Sequence, residues 1–151
     1  MDPVVAKIAE QFKVVHGNLR NEVRGLSVDE LNWKPAPETN SIAALIVHAL
    51  GSEAEVWRVV AGVPSTRDRD AEFLASAEAP DELARQLDAA DAFADEMAPR
   101  ITAADLMAEK ARGDRKPETG LHWLVTNYGH AREHLAHIQL TKQLYAETHK
   151  G

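Results

Sequence analysis

Four segments of the chain repeat apolar residues every three or four positions, which is the spacing of an amphipathic helix. They span residues 3–24, 41–61, 81–97 and about 119–146. Asp2 followed by Pro3 favours a helix start, and Gly25 and Gly62 favour the ends of the first two helices. The pattern therefore predicts four long helices.

The segments between these helices lack a regular apolar pattern. In the first connector, Pro35 and Pro37 exclude helix, and we expect Leu31 and Trp33 to anchor it to the helices. Residues 65–80 are charged and rich in alanine, and they predict a loop with at most a short turn. Residues 108–118 are polar and predict an exposed crossover.

Composition supports one helical domain. The chain has 151 residues, of which 44% are hydrophobic and only 5% aromatic, and Ala, Leu and Val dominate the apolar set. Strands prefer aromatic and β-branched residues, so this balance favours helices. Because no internal repeat or change of composition divides the chain, we expect a single domain over residues 1–151.

Charge and residue usage exclude several functions. The net charge is −7 and no strongly basic block occurs, so nucleic-acid binding has little support. The absence of Cys excludes disulfides, thiolate metal sites and a cysteine nucleophile. Neither a signal peptide nor an apolar run of ~18 residues is evident, so we expect a soluble cytoplasmic protein without a membrane partner.

The last predicted helix carries the clearest candidate chemistry, because His130 and His134 are four residues apart. At about 100° per residue they lie about 40° apart on the helix surface, one turn above each other. Two imidazoles so placed can bind one divalent metal. The pair alone is a weak motif, since about 0.3 such pairs are expected by chance among seven histidines.

His48 strengthens the case for a metal, because it lies in the most apolar part of the second helix. Three imidazoles from two helices form the ligand set of a catalytic metal that keeps positions open for water or substrate. The alternative is a set of surface or hydrogen-bonded histidines. Glu55, two turns beyond His48 on nearly the same line, is a candidate general base or partner of a metal ligand.

Further residues are candidates for lining the same pocket. His16 borders the apolar stripe of the first helix, where it is either a hydrogen-bonded core histidine or part of the cavity. Trp123 and Asn127 share the side of the last helix that carries His130. Packing or capping is the alternative explanation for each of these residues and for Glu55.

Two segments carry a resemblance to a known family. Ile42-Ala-Ala-Leu-Ile-Val-His48-Ala-Leu-Gly-Ser-Glu53 and Asn127-Tyr-Gly-His130-Ala-Arg-Glu-His134-Leu-Ala-His-Ile138 resemble the two halves of the DinB-like metal-binding bundles, and Leu31-Asn-Trp-Lys-Pro35 also matches. The resemblance implies an all-α four-helix bundle with a long crossover connection, often a homodimer. It also implies a divalent metal, zinc or nickel, held by His48, His130 and His134.

His137 is a departure from the family pattern, which often has Gln three residues after the last ligand. His137 follows His134 at that spacing, so it replaces the polar group near the metal, faces solvent, or adds a ligand. The first two interpretations are favoured over ligation.

The resemblance also suggests an activity. Some relatives use the metal to activate the thiol of a small cofactor, such as mycothiol or bacillithiol, which makes a metal-dependent thiol S-transferase the first expectation. Without Cys, the chain would need a diffusible low-molecular-weight thiol. The alternatives are a metal-water hydrolase and a non-catalytic metal-binding or stress-response bundle.

For a dimer contact, the helical wheel suggests Trp57 and Val60, on the side of the second helix away from His48.

Overall fold

The computed structural model describes all 151 residues, most of which are helical. The long helices are α1 (Pro3–Val23), α3 (Ile42–Ala61), α5 (Glu82–Met97) and α7 (Gly120–Thr148). The short ones are α2 (Val28–Asn32), α4 (Arg69–Phe73) and α6 (Ala103–Met107), and a 3₁₀ turn (Ala98–Arg100) follows α5. Strands β1 (Glu109–Lys110) and β2 (Glu118–Thr119) pair antiparallel, with Glu109 opposite Thr119.

The four long helices form one bundle in which each contacts two neighbours. Helices α1 and α3 both pack against α5 and α7, so α1 lies diagonally opposite α3. The contact between α3 and α7 is the most extensive in the molecule. The all-α bundle with a long crossover is confirmed, and the crossover between α5 and α7 contains α6 and the two short strands.

The predicted helix ends are confirmed to within two residues, and side chains cap the N-termini of α1 and α3. The Asp2 carboxylate accepts from the backbone N–H groups of Val4 and Val5, and Ser41 Oγ accepts from the N–H of Ala44. Gly62 ends α3 with φ of 73°, the left-handed conformation that favours glycine. None of the helices combines the length and apolar character that crossing a bilayer requires.

One prediction about the connecting segments is refined, a second needs correction, and so does one about the surface. The short turn within residues 65–80 is helix α4, which packs on α3. The crossover 108–118 is not uniformly exposed, since it forms both strands and buries Arg112. Trp57 and Val60 are 0% exposed in the core, so their prediction as a dimer contact is wrong. The homodimer itself stays a prediction.

The core joins the two diagonal helices through large side chains. Trp57 on α3 lies 5.7 Å from Phe12 on α1, measured between ring centroids. Leu31 is fully buried, as expected for an anchor of the first connector, and Trp33 packs edge-on against Tyr145 of α7 at 5.4 Å. The connector is thereby held to the bundle at both predicted anchors.

A buried polar network lies in the same core and is centred on His16, which is 1% exposed. Its Nδ1 lies 2.6 Å from Asp91 Oδ1 and its Nε2 lies 2.7 Å from Glu53 Oε2. Both partners are carboxylate oxygens, so both ring nitrogens must donate and the imidazole is cationic. The other Glu53 oxygen accepts from Trp57 Nε1 at 3.1 Å. The network therefore ties α1, α3 and α5 together.

The neighbouring carboxylates set the charge of His16. Burial lowers the pKa of His16, but the hydrogen bonds and negative charges of Glu53 and Asp91 outweigh burial and hold it above the ordinary value of 6.5. The pKa of Asp91 is lowered, because hydrogen bonds from His16 and Arg20 outweigh the opposing effect of burial. The His16 alternative of a hydrogen-bonded core residue is the one that the structure shows.

We expect His16→Gln to reduce the free energy of unfolding by about 2–4 kcal/mol just below pH 6.5, because it leaves the buried Glu53 carboxylate without its cation and removes one of the two cationic partners of Asp91. A raised pKa contributes stability below 6.5 that is lost as pH rises through the folded-state value. The lowered pKa of Asp91 contributes stability above pH 3.8, and this stability is lost as pH falls through the folded-state pKa. The loss should therefore be largest between these two values in urea titrations.

The matched control is His122→Gln, because His122 is exposed. Its free energy of unfolding should stay within about 0.5 kcal/mol of wild type at every pH. A His16→Gln deficit that is independent of pH would contradict the assignment of a cationic His16.

Candidate metal centre

Three imidazoles meet where α3 packs against α7. His48 comes from α3, and His130 and His134 lie one turn apart on α7. The Nε2 atom of His130 lies 3.2 Å from Nε2 of His48 and 2.9 Å from Nε2 of His134. Candidate ligand atoms of all three lie within 4.8 Å of one another. The structure thus brings together the three residues predicted as metal ligands.

The separations of these nitrogens fit a metal ion. In a tetrahedral site with Zn–N bonds of about 2.0–2.1 Å, ligand nitrogens lie about 3.3 Å apart, close to the distances observed here. Three facing Nε2 atoms cannot all be paired by one another's protons, whereas one cation accepts all three lone pairs. The Nδ1 atoms of His130 and His134 are buried without a protein partner, so no protein group fixes the tautomer of these two rings.

Glu72 on α4 fixes the orientation of His48. Its Oε1 lies 3.0 Å from His48 Nδ1, which therefore carries the proton and directs the Nε2 lone pair toward the other two histidines. Arg67 donates to both oxygens of Glu72, at 2.8 and 2.9 Å, and holds the carboxylate in place. The ring of Phe73 stacks on His48 at 4.5 Å. Helix α4 therefore positions the metal-binding face of His48.

Gly51 makes room for this contact. It lies one turn after His48 on α3, and a Cβ atom at this position would overlap the carboxylate of Glu72. Because Glu72 is held by both His48 and Arg67, its side chain has little freedom to move aside. Gly51 is thus required for the close approach of α4 to α3.

The environment keeps the triad neutral. Burial, followed by the charges of His48 and the nearby arginines, lowers the pKa of His130 to about 4. Burial, followed by His130 and His48, lowers the pKa of His134 to about 3. Burial also lowers the pKa of His48, against the opposing effect of Glu72. At neutral pH all three nitrogen lone pairs are therefore available to a metal.

A polar cavity of about 150 Å³ opens beside His48 and His130. Its wall contains no hydrophobic residue. The remaining lining residues are Ser52, Arg67, Arg69, Arg112, Arg115, Thr126 and Asn127. A ligand in this cavity would therefore lie next to two of the three imidazoles.

Glu55 holds two arginines of this wall. Its Oε2 accepts from Arg67 Nη1 at 3.0 Å and from Arg112 Nε at 2.7 Å. Burial raises the pKa of Glu55, but the bonds and charges of Arg112 and Arg67 outweigh burial and lower it. A carboxylate with a lowered pKa and two cationic partners is a poor proton acceptor, and its contacts suit it to orienting the arginines.

Ser52 connects this ion-pair cluster to α7. Its Oγ accepts from Arg112 Nη2 at 3.0 Å and from Asn127 Nδ2 at 2.7 Å. Asn127, predicted as a pocket residue, does line the cavity, and its buried Oδ1 has no partner. The amide oxygen is thus a buried hydrogen-bond acceptor without a protein partner.

The other predicted pocket residues lie outside the cavity wall. Trp123 is buried, donates from Nε1 to the carbonyl of Lys110 at 2.9 Å, and packs under the Arg112 guanidinium. His137 is exposed, with its ring centroid 5.4 Å from that of His134, and it is not part of the three-histidine group. His16 is engaged by Glu53 and Asp91 instead.

Sequence reasoning missed Arg67, Glu72 and Arg112. They lie in segments without helical periodicity, where no pattern indicates which side chains turn inward. One signal was present, because Gly51 weakens α3 in its interior, and such a glycine often marks a close approach by another segment. The position of Gly51 indicates a close contact beside His48, but it does not identify Glu72 as the contacting residue.

The fold and the site define a class: a helical bundle with a three-histidine centre between two of its helices. A comparison with family profiles agrees, since the profile of the DinB superfamily matches residues 11–138. The chain belongs to the DinB superfamily. The family resemblance predicted from the sequence is confirmed.

A solved structure shows the same fold. The crystal structure of "the conserved protein of locus from Enterococcus faecalis" is similar to this chain with a TM-score of 0.74 and 18% sequence identity. The similarity covers 95% of this chain and 98% of that one. At this identity the likeness concerns the fold alone. Comparison with curated proteins finds no match.

Gly51→Ala should weaken zinc affinity by about 10–100-fold, because the new methyl group displaces Glu72 and frees the His48 ring. Isothermal titration with zinc measures the effect. Gly17→Ala is the matched control, since nothing lies near its added Cβ. It should leave zinc affinity unchanged and raise stability by about 0.5–1 kcal/mol. Zinc affinity equal to wild type in Gly51→Ala would show that Glu72 does not orient His48.

Proposed function

We propose that the chain is a metal-dependent enzyme in which His48, His130 and His134 bind one divalent cation, zinc or nickel. The observation that carries the proposal is the convergence of three neutral imidazoles, two of which line an open polar cavity. A purely structural zinc site is normally closed by four protein ligands. Here the three-histidine group has no fourth protein ligand, and the cavity beside it offers space for a reacting molecule.

The reaction that we propose is transfer to a small thiol, as in the S-transferases of this superfamily. A divalent cation at this position would supply the Lewis acidity that makes a thiol or a water molecule nucleophilic near neutral pH. In the transfer, the thiol sulfur bonds to an electrophilic carbon, the leaving group departs with its electron pair, and the thiol proton goes to solvent. The thiol is a diffusible molecule, because the chain contains no Cys.

The residues around the centre take separate roles in this proposal. Glu72 holds the His48 ring through Nδ1, and Glu55 orients Arg67 and Arg112 rather than acting as a general base. Asn127 forms part of the cavity wall and is held there by Ser52. Trp123 supports the guanidinium of Arg112 from outside the cavity.

Two residues that were predicted to line the pocket, His137 and His16, have no role in the proposed reaction. His137 lies at the exposed edge beside His134 and is not a ligand. His16 stabilises the bundle through its two carboxylate partners and takes no part in the reaction.

The metal assignment is tested by elemental analysis after purification without chelators. Wild type should hold about one zinc or nickel ion per chain, and His134→Ala should lose it because two imidazoles remain. His137→Ala is the matched control, being the same substitution three residues further along α7, and should retain the metal. Absence of metal from wild type that also fails to bind added zinc would refute the proposal.

The reaction class is tested by a screen of low-molecular-weight thiols with alkyl halide or epoxide electrophiles, run beside simple esters and amides. Thioether formation should depend on the bound metal and fall at least about 100-fold in His134→Ala, which keeps the bundle but loses a ligand. Ester or amide hydrolysis without thioether formation would replace the transferase with a metal-water hydrolase. Metal binding without either activity would favour a non-catalytic bundle.

A further inference from the structure

The cavity beside the three-histidine centre has an excess of positive charge. Four guanidinium groups line it, while only Glu55 and Glu72 contact them with carboxylates. Each of these ion pairs involves Arg67 or Arg112. Arg69 and Arg115 thus reach the cavity without an acidic partner, and an unpaired cation in a partly enclosed polar site attracts an anion.

Arg112 is the anchor of this charged surface. Its side chain is 6% exposed, and its Nε and Nη2 donors are bound by Glu55 and Ser52. The remaining nitrogen, Nη1, has no hydrogen-bond acceptor. Because the other two donors hold the guanidinium plane in place, Nη1 presents its N–H groups in a fixed direction, as a preorganised anion site requires.

The size and lining of the cavity define what can enter. A cavity of about 150 Å³ is comparable to one that holds a benzene ring, so it has room for about six to eight non-hydrogen atoms. Its wall has no hydrophobic residue, which disfavours an apolar group.

We propose that this cavity is an oxyanion subsite that binds the carboxylate group of a small organic acid, with Arg112 as its fixed donor and Arg69 and Arg115 at its mouth. A planar carboxylate matches the forked donors of a guanidinium. Glu55 and Glu72 reduce the formal charge of the four guanidinium groups from +4 to +2. The subsite rests on the proposed function in that it identifies the substrate class of the same centre.

The experiment compares lactate with lactamide, which have the same number of non-hydrogen atoms and differ in charge. Binding to the full chain is followed by NMR shifts of backbone amides near Arg69 and Arg115 at fixed ionic strength. Wild type should bind lactate saturably and lactamide at least about tenfold more weakly, the loss expected for one charge-assisted hydrogen bond. Equal binding of the two molecules, or no saturable lactate binding, would overturn the proposal.

The variant carrying both Arg69→Gln and Arg115→Gln tests the residues, and both side chains are exposed, so the fold should persist. It should bind lactate about tenfold more weakly than wild type. The control carries Arg85→Gln and Arg100→Gln, the same charge change at exposed positions outside the cavity, and should bind as wild type does. An equal loss in the control would reduce the effect to general electrostatics and overturn the subsite.

Two further arms separate this subsite from related possibilities. Inorganic phosphate that binds more tightly than lactate would overturn the carboxylate assignment. The titrations are run on chelator-treated and zinc-loaded protein. If the chain binds lactate but takes up no zinc, the subsite is supported and the metal-dependent enzyme is refuted. If the chain binds zinc but not lactate, the subsite is refuted and the metal site is supported.

Discussion

The close packing of α3 against α7 is the constraint on which the rest of the site depends. It places three imidazoles in one small volume, where nitrogen lone pairs face one another and burial, with neighbouring positive charge, lowers the pKa of each ring. Such an arrangement is unfavourable unless a partner satisfies it. The molecule supports it from one side through a continuous set of contacts, from His48 to Glu72, Arg67, Glu55 and Arg112.

The bundle contains two histidine environments with opposite electrostatics. His16 lies between two carboxylates, which hold its pKa above the ordinary value in spite of burial. His130 and His134 are also withdrawn from solvent but have other histidines as neighbours, and the arginines of the cavity also act on His130, so their pKa values fall. The charge of the neighbouring groups thus makes His16 a cation that joins helices, whereas it keeps His130 and His134 neutral and suited to binding a metal.

Much of the fold and the three-histidine group could be predicted from the sequence, because both follow from helical periodicity. Spacing places His130 and His134 on one face of α7, and the apolar setting of His48 indicates that it is buried. The same reasoning failed at Trp57 and Val60, because α3 is buried on several sides and a helical wheel cannot tell which apolar face meets the core. Arg67, Glu72 and Arg112 could not be predicted in this way, since they lie in connecting segments whose paths depend on tertiary packing.

The central claim is that the three imidazoles form one metal site with room for a further ligand. X-ray absorption at the zinc edge of protein loaded with one equivalent of zinc tests it most directly. We predict scattering from three imidazoles with Zn–N distances of about 2.0–2.1 Å and at least one additional light atom. A spectrum with fewer than three imidazoles, or with oxygen ligands alone, would contradict the account.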